Sequence, residues 1–122
     1  MPLLYSLASS YRNQPQFDII SEMAASDEIK KLFETRDEAV TRQDKRRFLS
    51  TQVSEIENGS SSGYISIDKL KSEVLYAHTE SELEKVVFVK ETYTPRGKES
   101  HSSFPVYFLT NTVKGWMIYK VR

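Results

Sequence analysis

The chain has 122 residues, no cysteine, and seventeen basic residues against seventeen acidic ones. Its length predicts a single domain with one real core, and 39% apolar with 28% charged residues is globular rather than disordered composition. Zero net charge argues against non-specific binding to nucleic acid or an anionic membrane, and the absence of cysteine excludes a disulfide framework, a thiolate metal site and a cysteine nucleophile.

No apolar run approaches the roughly 20 residues that span a bilayer. The start, Met1-Pro2-Leu3-Leu4-Tyr5-Ser6-Leu7-Ala8, lacks the basic region of a signal peptide. These features fit a cytoplasmic protein, and they fit an exported or excised domain as well.

In chain order, residues 1–25 read as an N-terminal extension. Tyr5, Leu7, Tyr11, Phe17, Ile19 and Ile20 are too apolar for a pure linker, while Pro15 and the polar run from Ser9 to Gln14 argue against one long helix. A short helix from about Asp18 to Ala24 is expected there. The main domain, 26–122, opens with a helix capped by Ser26, with Asp27 and Glu28 complementing the positive end of its dipole. Ile29, Leu32, Phe33, Ala39 and Val40 recur at helical spacing and form one buried stripe. Arg36 lies on that stripe, so it has to snorkel or find a carboxylate.

The apolar pattern lapses at Thr41-Arg42-Gln43. Asp44 then caps a short helix from Lys45 to Thr51 that turns Phe48 and Leu49 inward. The cluster Arg42, Lys45, Arg46 and Arg47 reads as a solvated helix face. Asn58-Gly59-Ser60-Ser61-Ser62-Gly63 is a flexible loop and not a phosphate cradle, since no Lys-Ser/Thr pair follows it. Tyr64-Ile65-Ser66-Ile67 opens either a strand or a short turn.

Four strands follow: Leu70–His78, Val86–Tyr93, Phe104–Leu109 and Trp116–Val121. Thr94-Pro95-Arg96-Gly97-Lys98 carries turn chemistry between the second and third. Helices followed by consecutive strands predict an α+β fold, with the helices packed on one face of an antiparallel meander.

This order resembles the NTF2-like superfamily of cystatin-like α+β folds, a long helix wrapped by a strongly bent antiparallel sheet. The resemblance covers about Ser26 to Val121. It rests on the helix, the break and short helix Arg42-Gln43-Asp44-Lys45-Arg46-Arg47-Phe48-Leu49, the loop, and the ending Asn111-Thr112-Val113-Lys114-Gly115-Trp116-Met117-Ile118-Tyr119. It implies a conical cavity between sheet and helix, and often a dimer through the outer sheet face.

Chemistry is harder to read. His78 and His101 fall near strand ends among polar neighbours and read as exposed loop residues; no metal or cofactor is expected. Alternation puts Val87, Val89, Glu91 and Tyr93 on one side of their strand. If that side faces the cavity, Glu91 is a carboxylate among apolar groups, able to act as acid or base. Otherwise it is solvated or paired with a Lys or Arg.

Roles from the ketosteroid-isomerase-like branch do not transfer, because Ser26–Thr41 holds no tyrosine. The His–Asp pair of the scytalone-dehydratase-like branch would require His78 or His101 to meet Asp37 or Asp44. Both faces of the last two strands are apolar, so something must cover the outer one. The candidates are a partner, residues 1–25 or a second copy, with either Phe108 and Met117 or Tyr107 and Trp116 facing outward.

The leading expectation is a non-catalytic module that binds a small apolar ligand or forms a homodimer. Tyr76, Glu91, Tyr93, Tyr107 and Trp116 are its pocket candidates. The alternatives are a small isomerase, dehydratase or hydrolase using Glu91 or a histidine, and an accessory domain of a larger exported assembly.

Overall fold

The computed structural model describes residues 14–122, with side chains from Asp27 onward. Helix α1 (Gln14–Thr41) leads through the short helix α2 (Lys45–Leu49) into strand β1 (Gln52–Glu57). A 3-10 turn (Gly63–Ser66) precedes β2 (Ile67–Thr79), β3 (Glu84–Pro95), β4 (His101–Ser103), β5 (Val106–Thr112) and β6 (Gly115–Val121). The sheet order is β1-β6-β5-β3-β2, with β4 paired to β3.

The four expected strands are present as a meander of antiparallel neighbours, β2 with β3, β3 with β5, and β5 with β6. Strands β1 and β4 were not expected. Strand β1 runs parallel to β6, so the sheet is mixed rather than purely antiparallel. Its sequence, Gln-Val-Ser-Glu-Ile-Glu, offers only two apolar side chains, and β4 is a His-Ser-Ser tripeptide. Pairing to a formed neighbour holds both strands, a tertiary effect that outweighs local propensity.

The expected break at Ser26 is also absent. Helix α1 passes through that position, so Ser26 is helix interior and not a cap. Pro15 stands in the first turn, where a missing N–H costs nothing. The expected short helix at 18–24 is thus part of α1; residues 1–13 lie outside the described residues.

The helix stripe packs as its spacing requires. Ile29 and Phe33 join Val87, Val89, Tyr107, Leu109 and Ile118 in one core cluster. Ala39 and Val40 join Phe48 and Tyr64 in a second. Four register shifts interrupt the ladders of the sheet around α1: one where β1 meets β6, between Gln52 and Glu57, two in β2, between Ile67 and Lys69 and between Val74 and Tyr76, and one where β5 meets β6. Such bulges increase local twist. The last interrupts alternation in β6. Ile118 is buried opposite Leu109, whereas Lys120 pairs with the outward Phe108 and Val121 with the inward Tyr107. Tyr107 and Trp116 therefore face the helix, and Phe108 and Met117 face outward.

Candidate functional site

Between the C-terminal half of α1, α2, the 3-10 turn and strands β2 and β3 lies an open pocket of about 260 Å3. Among the described residues its walls are Val40, Phe48, Tyr64, Ile67, Leu70 and Tyr93. Ser60 and Gly63 belong to its lining, and Arg36 and Glu91 are its charged members.

Local structure explains this opening. Asp44 caps α2, its side chain accepting from the Arg47 backbone N–H, so the chain turns sharply after α1. Gln43 follows the helix at φ 57°. Its Nε2 donates to the carbonyls of Val40, Tyr64 and Ile67 at 2.9, 2.8 and 3.1 Å, which ties the helix end to the 3-10 turn. The Ser60 carbonyl accepts from buried Gln52 Nε2 at 3.1 Å, so one point of the Asn58–Gly63 loop is fastened at the pocket.

Arg36 stands on the helix between the two apolar clusters and resolves its problem by pairing with a carboxylate. Its Nη1 is 3.5 Å from Glu91 Oε2 and 3.4 Å from the Tyr107 hydroxyl. The Tyr107 hydroxyl donates to the same Glu91 oxygen at 2.6 Å. The guanidinium lies 5.2 Å from the ring centroids of both Phe48 and Tyr107, within cation–π range of each. Side-chain exposure is 12% for Arg36 and 16% for Glu91, so the pair is largely desolvated. Arg36 Nε is buried without a hydrogen-bond partner, an unfavourable feature at the heart of the site. Burial pushes the Tyr107 hydroxyl well above its ordinary value of 10.0, so it remains a proton donor.

Next to this triad, Asp37 accepts from the Ser72 backbone N–H at 2.6 Å and from its hydroxyl at 2.7 Å. Burial raises the Asp37 carboxyl above 3.8, opposed by the Ser72 hydrogen bonds and Arg36, with Glu91 adding to the rise. The folded protein therefore holds this proton where the unfolded chain has lost it. The site's contribution to stability is full below pH 3.8 and is lost as pH rises through the folded value. Asparagine can keep both contacts without charge, accepting from the N–H and donating to the hydroxyl. Asp37→Asn should gain stability relative to the parent as pH rises above 3.8, read by urea unfolding at several pH values. A difference that does not move with pH would contradict this.

The expected pocket residues separate. Glu91 and Tyr93 line the pocket, and Tyr107 reaches it through Glu91. Tyr76 does not: the bulge at Val74/Tyr76 puts it opposite the outward Phe88, 59% exposed with its ring centroid 6.2 Å from that of Phe88. Trp116 is also elsewhere, half-buried against the first core cluster. Its Nε1 donates to Glu28 at 3.2 Å, and Lys85 Nζ lies 5.1 Å over its ring. Arg36, Phe48, Tyr64 and Leu70 were not among the expected site residues. Of these only Arg36 carried a signal, as a charge on an apolar stripe.

His78 is exposed and 3.5 Å from Glu80, and His101 lies against the Tyr93 ring at 5.8 Å; neither meets Asp37 or Asp44. Among the described residues no three His, Cys, Asp or Glu side chains converge to hold a metal. Among the same residues no helix is long and apolar enough to cross a membrane.

No protein-family model and no curated protein matches the sequence. Solved structures do match in shape. An NTF-2 like protein of unknown function from Shewanella oneidensis superposes with TM-score 0.67 at 17% identity, over 80% of this chain and 96% of that one. A ketosteroid isomerase-like protein from Erwinia carotovora atroseptica gives 0.56 at 13% identity, over 76% and 89%. The association domain of C. elegans CaMKII gives 0.59 at 14% identity, over 83% and 95%. At these identities the likeness is one of architecture, and the chain has the NTF2-like, cystatin-like α+β fold.

Proposed function

We propose that this domain is a binding module whose pocket holds a small, largely apolar molecule. The observation behind this reading is the pocket's composition: aliphatic and aromatic walls around one internally paired Arg36–Glu91 couple. Small-molecule sites combine apolar lining with a few placed polar groups in this way. Glu91 Oε2 already accepts from Tyr107 and faces Arg36, which favours a recognition role over that of a free base.

Phenylpropanol should bind with a Kd of about 1 mM or tighter, judged by the affinity a ligand of this size can gain per atom. Amide and side-chain resonances of Tyr64, Leu70 and Tyr93 should move on titration, and Leu70→Trp, which fills the pocket, should abolish the shifts. Shifts confined to other surfaces would refute the reading.

A second reading concerns the outer sheet face. Tyr76 and Phe88 (41% exposed) are exposed there, beside the half-buried Phe108, Met117 and Tyr119. Lys120 and Arg122 lie over the Phe108 ring at 5.1 and 5.4 Å and cover part of it. The remaining aromatic surface suits a second copy of the chain, and the CaMKII association domain has the same fold. In a two-fold interface one substitution acts twice. Phe88→Glu should therefore yield a monomer where the parent is a dimer by light scattering. A parent that stays monomeric at high micromolar concentration would remove this reading.

A further inference from the structure

The polar atoms left over in the pocket define the head group it can take. Arg36 and Glu91 both line the pocket, and their mutual contact uses one atom from each, Nη1 and Oε2. Tyr107 also contacts those same two atoms. Neither Arg36 Nη2 nor Glu91 Oε1 has a hydrogen bond among the described residues, and neither is among the fully buried unpartnered atoms. The pocket thus offers one spare donor and one spare acceptor from a couple whose charges cancel.

Resting on the ligand-binding reading, we infer that the pocket selects an uncharged molecule whose head both donates and accepts, of the carboxamide type, carried on a single ring and short chain. A carboxamide carbonyl can accept from Arg36 Nη2 while its N–H donates to Glu91 Oε1. Both leftover groups are then satisfied without adding charge to a desolvated site.

An anionic head would gain from Arg36 but meet the Glu91 carboxylate. An ammonium would gain from Glu91 but meet the guanidinium. Each charged head brings an unbalanced charge into low-dielectric surroundings, where uncompensated charge is most costly. Asp37 is a second carboxylate nearby, but it is engaged by Ser72 and does not line the pocket. Size points the same way. A dry cavity of about 150 Å3 accepts benzene. The present 260 Å3 therefore leaves room for one ring and a few further atoms.

The test compares three probes with one body and different heads: hydrocinnamamide, hydrocinnamate and phenylpropylamine, titrated at neutral pH and followed by NMR shifts and calorimetry. The amide should bind about tenfold or more tightly than either charged probe, the discrimination expected when a buried partner is left unpaired. In Glu91→Gln the guanidinium loses its counter-charge, and preference should move toward hydrocinnamate. If that variant does not fold, the ranking in the parent decides.

Equal affinities, or tighter binding of a charged probe, would overturn the head-group assignment while leaving the ligand-binding reading intact. Failure of all three probes to move any pocket resonance would defeat both.

Discussion

Arg36→Ala should cost about 3 kcal/mol of stability, because removing one partner of a largely desolvated ion pair strands the other. Glu91 would keep the Tyr107 hydroxyl but lose its counter-charge. Its surroundings are the helix, the sheet and the apolar pocket walls, which cannot replace a guanidinium. The contrast lies in the double variant. Arg36→Met with Glu91→Met removes both charges, keeps the volume, and relieves the partnerless Arg36 Nε.

Replacing a buried pair by apolar groups is often neutral or stabilising. The double variant should therefore unfold close to the parent in urea and well above Arg36→Ala. If it were as unstable as the single variant, the pair would be adding net stability, and its retention would need no ligand to explain it. If it is neutral, the charges are retained at no benefit to folding, as expected of groups kept for a ligand.

What could be read from the sequence and what could not follow from range. The helix stripe and the alternation Val87, Val89, Glu91, Tyr93 are local patterns, and the core follows both. That Arg36 had either to snorkel or to find a carboxylate was also visible, since it is a charge between Phe33 and Val40 on the apolar stripe. Its partner was not identifiable, because Glu91 lies 55 positions away and only the curl of the sheet brings it near.

Tyr76 shows the opposite failure. Parity along β2 is reset by one inserted residue at the bulge, and no local residue announces it. Tyr119 does the same in β6, moving Lys120 outward and Val121 inward. Strand β1 was invisible because its pairing with β6 supplies what its composition lacks. Ser26 carried a cap signal that the flanking helix overrode, since one weak helix former costs only a few tenths of a kcal/mol.

Phe33→Ala should cost a comparable amount, about 3–5 kcal/mol, for a different reason. Phe33 is 1% exposed and touches the first core cluster from the centre of the helix stripe. Its ring meets Tyr107 edge-on, with centroids 5.0 Å apart and planes at 65°, an arrangement that adds about 0.5–1.5 kcal/mol beyond area burial. Truncation leaves a hole between α1 and the sheet, beside the ring that orients the hydroxyl toward Glu91. The effect should therefore reach the site as well as the core. Pocket resonances of Glu91 and Tyr93 should broaden in Phe33→Ala even where the protein remains folded.

Val113→Ala is the control, because Val113 is fully exposed in the β5–β6 turn and its loss should fall within about 0.5 kcal/mol. If Phe33→Ala and Val113→Ala unfold at similar urea concentrations, the helix does not anchor the sheet as described, and the pocket's base loses its physical support.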